Sequence, residues 1–188
     1  MTNDQLAPQG EEPVAQQSFR LCATKTPLGL LHIVVDESET VHLDFWEEQE
    51  PAARRHWYRW YGATPWPPQA GFAKITQLVE SYFSTPPRPL DGLSVRLRGT
   101  TFQQKVWAAL RAVPFGHAVR YGELAQRVST RVAARAVGAA LRQNPVTLIV
   151  PCHRVIAADG SIGGYAGGVH RKLWLLDYES RAVPQPRG

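Results

Sequence analysis

The residues best suited to chemistry are Pro151-Cys152-His153-Arg154. A thiol beside an imidazole and a guanidinium is biased toward thiolate, the nucleophilic form of cysteine. A lone cysteine is more often an inert buried residue. The flanking His153 and Arg154 argue for the reactive reading. Neighbours in an extended segment point to opposite sides, so His153 would act on Cys152 through a bridging water. A carboxylate on the other imidazole nitrogen would complete the relay, and Glu179 and Glu123 both have helical support for that role. Residue types alone leave this choice open.

Positioning such a group requires the elements around it. Asn144-Pro145 is a turn signal, and the run Val146–Val150 reads as a buried strand with Cys152 at its end, its approach stiffened by Pro151. Upstream, a Thr N-cap opens a helix striped by Phe102, Val106, Leu110 and Val113 and stopped by Pro114-Phe115-Gly116. A short helix over 122–128, a turn at Ser129-Thr130-Arg131 and a helix over 132–142 have helix-turn-helix spacing. Ala133–Ala140 is almost bare except for Arg135, which suits a minor-groove approach better than readout of base edges in the major groove. Downstream, Gly160–Gly168 is a glycine-rich loop around Tyr165. It matches neither phosphate-binding nor dinucleotide patterns, which disfavours nucleotide cofactors. A last helix covers 171–178, with Glu179 near its end and a polar tail over 181–188.

The first half shows no chemistry of its own. Residues 1–17 read as a disordered tail. Phe19–Thr26, Leu30–Val35 and Val41–Phe45 form an antiparallel meander whose first turn is Pro27-Leu28-Gly29. Residues 47–61 show no clear period, and the Pro65-Trp66-Pro67-Pro68 cluster ends them. An amphipathic helix over 70–83 should cover one face of the sheet. Pro86-Pro87-Arg88-Pro89 is a stiff linker, and Leu93–Leu97 alternates like an edge strand. Cys22, His32 and His42 lack the short paired spacing of a zinc site, so no metal is expected. The expected units are a scaffold over 18–90, a connector over 91–97 and a second domain over 98–180.

Charge divides the same way. Residues 1–97 carry 8 Lys/Arg against 12 Asp/Glu, net −4, whereas residues 98–188 carry 13 against 4, net +9, giving the overall +5. Such a split suggests that the second half meets a polyanion. No transmembrane run or signal region is visible, and two distant cysteines make no disulfide framework, so a reduced cytoplasmic setting is expected.

Pro151-Cys152-His153-Arg154-Val155 resembles the active-site signature of the O6-alkylguanine-DNA alkyltransferases (methylated-DNA–protein-cysteine methyltransferases). The likeness extends through Phe102-Gln103, Val106-Trp107, Pro114-Phe115-Gly116, Tyr121-Gly122, Leu124-Ala125, Ala134–Gly138, Asn144-Pro145, Tyr165–Gly168 and Trp174-Leu175-Leu176. It covers roughly residues 98–180; the first half is similar only in its hairpin and Thr26–Gly29 turn.

This resemblance implies an α/β (α+β) fold of two domains: a ribonuclease-H-like antiparallel sheet with a helix, then a mostly helical winged helix-turn-helix domain. It implies minor-groove binding and flipping of the damaged guanine into a pocket. Cys152 matches the alkyl acceptor, activated through water by His153, with Glu179 behind it. Tyr121 matches the residue that helps rotate the nucleotide and donates a proton to guanine, and Asn144 the tie between helix-turn-helix and active-site segment. Arg135 matches the finger filling the vacated stack; Thr101, Gln103, Ala134, Gly138 and Arg154 join Tyr121 as expected DNA contacts. Leu141, Thr147, Gly164, Tyr165, Ala166 and Gly167 are expected pocket residues.

The implied reaction consumes Cys152 once and needs no cofactor. The implied partner is duplex DNA bearing alkylated guanine, met by a monomer, with cooperativity on DNA and activity on O4-alkylthymine left open. Leu173 departs from a Glu common in relatives, and Thr147 from a Pro that lines some pockets. Two rival readings are a non-catalytic winged-helix DNA-binding module, which leaves Cys152-His153 unexplained, and a cysteine hydrolase, which needs an oxyanion hole and a directly reachable His.

Overall fold

A computed structural model describes residues 19–36, 39–45, 72–90 and 93–183. The segments expected as an N-terminal tail, the unplaced stretch 47–61 and the Pro65–Pro68 cluster lie outside the described residues. The architecture mixes sheet and helix.

Strands β1 (Phe19–Thr26), β2 (Gly29–Asp36) and β3 (Glu39–Phe45) pair antiparallel in that order. The β1–β2 register runs from Phe19↔Asp36 to Thr26↔Gly29, and a bulge interrupts β2–β3 between Val34 and Val35. The first turn closes as expected. Thr26 Oγ1 accepts from Leu28 N at 3.1 Å and donates to Gly29 O at 2.8 Å, and Gly29 takes φ 108°, which a side chain would disfavour.

Helix α1 (Ala73–Tyr82) buries Val79 and Tyr82 against the sheet face carrying Cys22, Leu31, Ile33, Leu43 and Phe45. His32 and His42 are also buried, on the opposite face from Cys22, because successive strand residues alternate sides. Burial pushes the Cys22 thiol up to about 11, so it stays protonated.

The second half builds its own core from α2 (Thr101–Arg111), α3 (Tyr121–Val128) and α4 (Ala134–Arg142). Thr100 caps α2 with a capping box: its side chain accepts from Gln103 N, and Gln103 Oε1 accepts from Thr100 N at 2.8 Å. Such a cap stabilises by about 1 kcal/mol. Val106, Trp107, Leu110, Leu124, Ala125, Val137 and Ala140 form one cluster. Trp107 reaches α4 directly, its Nε1–H donating to Ala140 O at 3.1 Å. The small residues of α4 permit that approach.

A two-residue parallel ladder joins β4 (Val119–Arg120) to β5 (Val155–Ile156), and α5 (Val169–Ala182) closes the described chain. Helix α5 runs two residues into the segment expected as a tail. Leu93–Leu97, expected as an edge strand, makes none; only Val95 takes part in a bridge.

The expected strand over Val146–Val150 is also absent. Val146 makes a single parallel bridge to Leu43, with Leu43 N donating to Pro145 O at 2.9 Å and Thr147 N to Leu43 O at 2.6 Å. The chain then folds into two tight turns. Ile149 N donates to Thr147 O across Leu148, whose φ of 67° is the left-handed exception among described non-glycine residues. Cys152 N donates to Val150 O across Pro151, at φ −80° and ψ 66°. The second is the ordinary inverse γ geometry; the first is the rare, strained kind. β-Branched composition pointed to a strand, but Leu148, buried in the core the sheet builds, pulls the backbone round.

Candidate active site

Cys152 therefore begins a 3-10 turn, Cys152–Arg154, rather than ending a strand. The turn sends its three side chains to different destinations. Cys152 is half-buried and lines a cleft of about 700 Å³ with Tyr121, Ala134, Arg135, Gly138, Leu141, Arg142, Gln143, Gly164, Tyr165 and Ala166. Nine of the expected site residues thus share one concavity, with the first turn of α4 on one side and the glycine-rich loop on the other. Arg135 is exposed at its mouth.

Asn144 stands behind the thiol. Its Nδ2 donates to Cys152 Sγ at 3.1 Å and to Val150 O at 2.8 Å, while Oδ1 accepts from Val146 N at 3.0 Å. One amide thus ties the segment after α4 to Val146, to the second tight turn and to the sulfur.

His153 is fully buried, and its Nε2 lies 3.0 Å from Glu179 Oε1. A carboxylate only accepts, so Nε2 carries the proton and Nδ1 presents its lone pair. Nδ1 has no hydrogen-bond partner among the described residues. Burial lowers the His153 pKa more than the Glu179 contact raises it, with Arg154 and Lys172 adding to the depression, so the imidazole is neutral and able to take a proton.

Glu179 is the centre of the network. Oε1 accepts from Tyr82 OH at 2.6 Å, His153 Nε2 and Arg154 Nη2 at 2.8 Å; Oε2 accepts from Arg154 Nε at 2.7 Å and Gly116 N at 3.2 Å. Burial pulls its pKa upward, but the His153 and Arg154 hydrogen bonds and charges outweigh that and hold it far below the usual carboxylate range. Gly116 needs to be glycine: its φ is 73°, and a Cβ there would fall 2.8 Å from Glu179 O and 2.3 Å from Val183. Glu123, the other candidate carboxylate, lies on the surface paired with Arg120 at 3.0 Å.

Several expected residues sit elsewhere. Arg154 does not face a DNA backbone: it is 7 % exposed, forked onto Glu179, with Nη1 donating to Val113 O at 2.7 Å. A guanidinium beside a buried carboxylate is held there by charge pairing, which the sequence pattern concealed. Thr101 is exposed at the start of α2, beside Gln103 in its capping box, away from the cleft lining. Thr147 is buried behind the pocket wall, its Oγ1 2.9 Å from Tyr165 OH. Gly167 contributes its carbonyl, which accepts from Arg171 Nη1 at 2.8 Å.

Sequence reasoning missed Lys172, Arg171 and Tyr82. Lys172 is fully buried, its Nζ donating to Val155 O at 2.6 Å and to Ile162 O, which clips the active-site turn to the glycine-rich loop. Burial lowers its pKa, and Cys152 partly offsets this. Helical spacing contained the signal, since 172, 175 and 179 share one face of α5. Arg142 was legible in the same way, on the Arg135–Gly138 face of α4. Tyr121, at the start of α3, has its phenol pKa raised by burial first and by Cys152 second, so it is a protonated donor beside the sulfur.

A half-buried thiol in a basic cleft, followed in the chain by a neutral imidazole paired to a buried carboxylate, is equipped to attack an electrophile delivered into that cleft. A family model for the DNA-binding domain of 6-O-methylguanine DNA methyltransferase matches residues 101–181. Methylated-DNA–protein-cysteine methyltransferases of Salmonella typhimurium and Mycobacterium tuberculosis are 40% and 39% identical; the alignments span 82% and 85% of this chain and 91% of each relative. The crystal structure of Mycobacterium tuberculosis O6-methylguanine methyltransferase is similar at TM-score 0.74 and 37% identity, over 89% of this chain and 96% of that one. Mycobacterium tuberculosis OGT in complex with DNA matches at TM-score 0.74 and 37% identity, over 88% and 95%. The chain belongs to the methylated-DNA–protein-cysteine methyltransferase family.

Proposed function

We propose that this protein repairs alkylated DNA by moving the alkyl group of O6-alkylguanine onto Cys152. The observation that carries the reading is the seating of Cys152 in the cleft, held by Asn144, with its chain neighbour His153 paired to the buried Glu179. The sulfur attacks the alkyl carbon, a C–S bond forms, and the C–O6 bond breaks with its electron pair going to guanine. The thiol proton passes to His153 through water, and Tyr121 supplies the proton guanine gains, so the protons balance. The product is a thioether that nothing in this chemistry reverses, so each molecule acts once.

The cleft must receive an extruded base, because the alkyl carbon is out of reach in the stack. Arg135, exposed on the first turn of a helix of small residues, is suited to fill the gap from the minor groove. Arg142 and the surface Arg127 and Arg131 extend the basic side for phosphates. The three-stranded antiparallel sheet with α1 supports a ribonuclease-H-like reading of the first half, and α3, α4 and the β4–β5 ladder support a winged helix-turn-helix in the second. A reduced cytoplasmic setting suits two free cysteines. Among the described residues no helix is long and apolar enough to cross a membrane.

The test is to incubate the protein with duplex DNA containing O6-methylguanine and record intact and peptide masses. One methyl on Cys152, absent with undamaged DNA and in Cys152→Ala, is the expected result. Binding without any adduct would favour the non-catalytic module instead. Arg135→Ala should slow transfer from duplex DNA far more than transfer from the free base, and equal losses would refute its finger role.

A further inference from the structure

Tyr82 belongs to the first half by sequence and by packing, yet its hydroxyl ends in the relay. The side chain is 1 % exposed, in the core under the sheet. Its OH lies 2.6 Å from Glu179 Oε1, the same oxygen that accepts His153 Nε2–H at 3.0 Å. The carboxylate has no proton to give, so the phenol donates. Burial, reinforced by Glu179, raises the phenol's pKa well above its usual value, and Tyr82 remains a donor throughout the working pH range.

Oε1 thereby serves Tyr82, His153 and Arg154 together. Donors on one oxygen draw on the same electron density, so each weakens the hold of the others. We propose that Tyr82 is a positioning residue for alkyl transfer: it pins Glu179 Oε1 and, by sharing that oxygen with His153, limits how strongly the carboxylate pulls on the imidazole. The inference rests on the relay reading above and extends it across the boundary between the halves. The groups whose charge acts on His153 are Glu179 and Lys172 on α5 and Arg154 on its own turn, and Tyr82 on α1 reaches it through Glu179.

A neighbouring hydroxyl supplies the control. Tyr178 OH lies 3.0 Å from Tyr82 O and 2.7 Å from Ser84 O, bridging the same two elements without touching Glu179 or His153. Deleting it disturbs the seam but not the shared oxygen.

The experiment uses the full chain with 15N-labelled histidine, recording the His153 Nε2–H proton resonance and the single-turnover transfer rate from O6-methylguanine duplex. Tyr82→Phe should move the resonance downfield, because His153 no longer shares Oε1 with the phenol, and slow transfer roughly three- to tenfold as Glu179 loses one anchor. Tyr178→Phe should leave the resonance in place. A resonance that stays put in Tyr82→Phe, moves equally in Tyr178→Phe, or moves without any change in rate overturns the proposal. If Tyr82→Phe does not fold, 3-fluorotyrosine placed at position 82 is a stronger donor and should move the resonance upfield; no movement counts against the proposal equally. Wild-type protein that gains no alkyl group on Cys152 would sink the relay reading itself, a different outcome from these.

Discussion

The two halves of the chain differ in charge, composition and visible chemistry, yet their packing does not stop at the line between them. Among the described residues the acidic first half is a sheet with one helix, and its sequence offers no nucleophile in an activating setting. The basic second half holds the thiol, the imidazole, the carboxylate and the cleft. Their interiors cross that line. Val146, Leu148, Ile149 and Leu175 of the second half lie in the same core cluster as Leu31, Ile33 and Leu43 of the sheet. Arg171 Nε donates to Leu28 O at 2.9 Å, and Tyr82 donates to Glu179. The basic charge lies in the half that matches a DNA-binding domain, whereas packing across the line holds the turn at Cys152 in shape.

The most drastic way to break this comparison is to cut it. A fragment of residues 93–183 would expose those four apolar side chains, at about 1.5–3 kcal/mol each. That sum rivals the whole stability of a typical domain, about 5–15 kcal/mol. The fragment is expected to show no cooperative thermal transition and to form no adduct; full transfer by the fragment would make the halves separable.

A single substitution at the meeting point should cost less. Glu179→Gln leaves Arg154 buried without its counter-charge, and urea unfolding should report a loss of about 3–5 kcal/mol. Acid should probe the same group. The folded-state pKa of Glu179 is depressed, so the unfolded chain takes up this proton first; the associated stability is complete above about pH 5 and declines as pH falls toward the folded value. His153 is depressed too, so its contribution declines as pH falls below about 6.5. Stability measured from about pH 5 to about pH 2 should fall in the wild type and fall less steeply in Glu179→Gln; parallel curves would mean that Glu179 is not the acid-sensitive group.

The smallest effect belongs to Leu173, 48% exposed on the outer face of α5. Leu173→Glu should change stability by no more than about 0.5 kcal/mol and leave the transfer rate alone. A larger change would reveal a role for that face that its exposure conceals.

Local rules made much of this legible. The Thr26–Gly29 turn, the Thr100 cap and the paired helices α3 and α4 follow from turn chemistry, capping and period. What failed was non-local. The strand expected over Val146–Val150 assumed that β-branched residues extend, but burying Leu148 under the sheet bends the chain through a positive φ. Arg154 reads as a DNA contact beside Cys152 and His153, and only the fold reveals Glu179 waiting for it from 25 residues away. Tyr82 reads as core, and it is core; its hydroxyl acquires a task because a helix 97 residues later delivers a carboxylate.

The bridge between Leu43 and Val146 gives the sheet a metrological role. Strand β3 is the edge against which Pro145–Thr147 is laid, and Cys152 follows through two short turns with little slack. One step along a strand is about 3.3 Å. A slip of one residue between β2 and β3 would therefore offset the sulfur by more than the roughly 1 Å misplacement that can cost a hundredfold in rate. The sheet acts as a ruler, and the reach of the sulfur is calibrated by strands that lie outside the cleft lining.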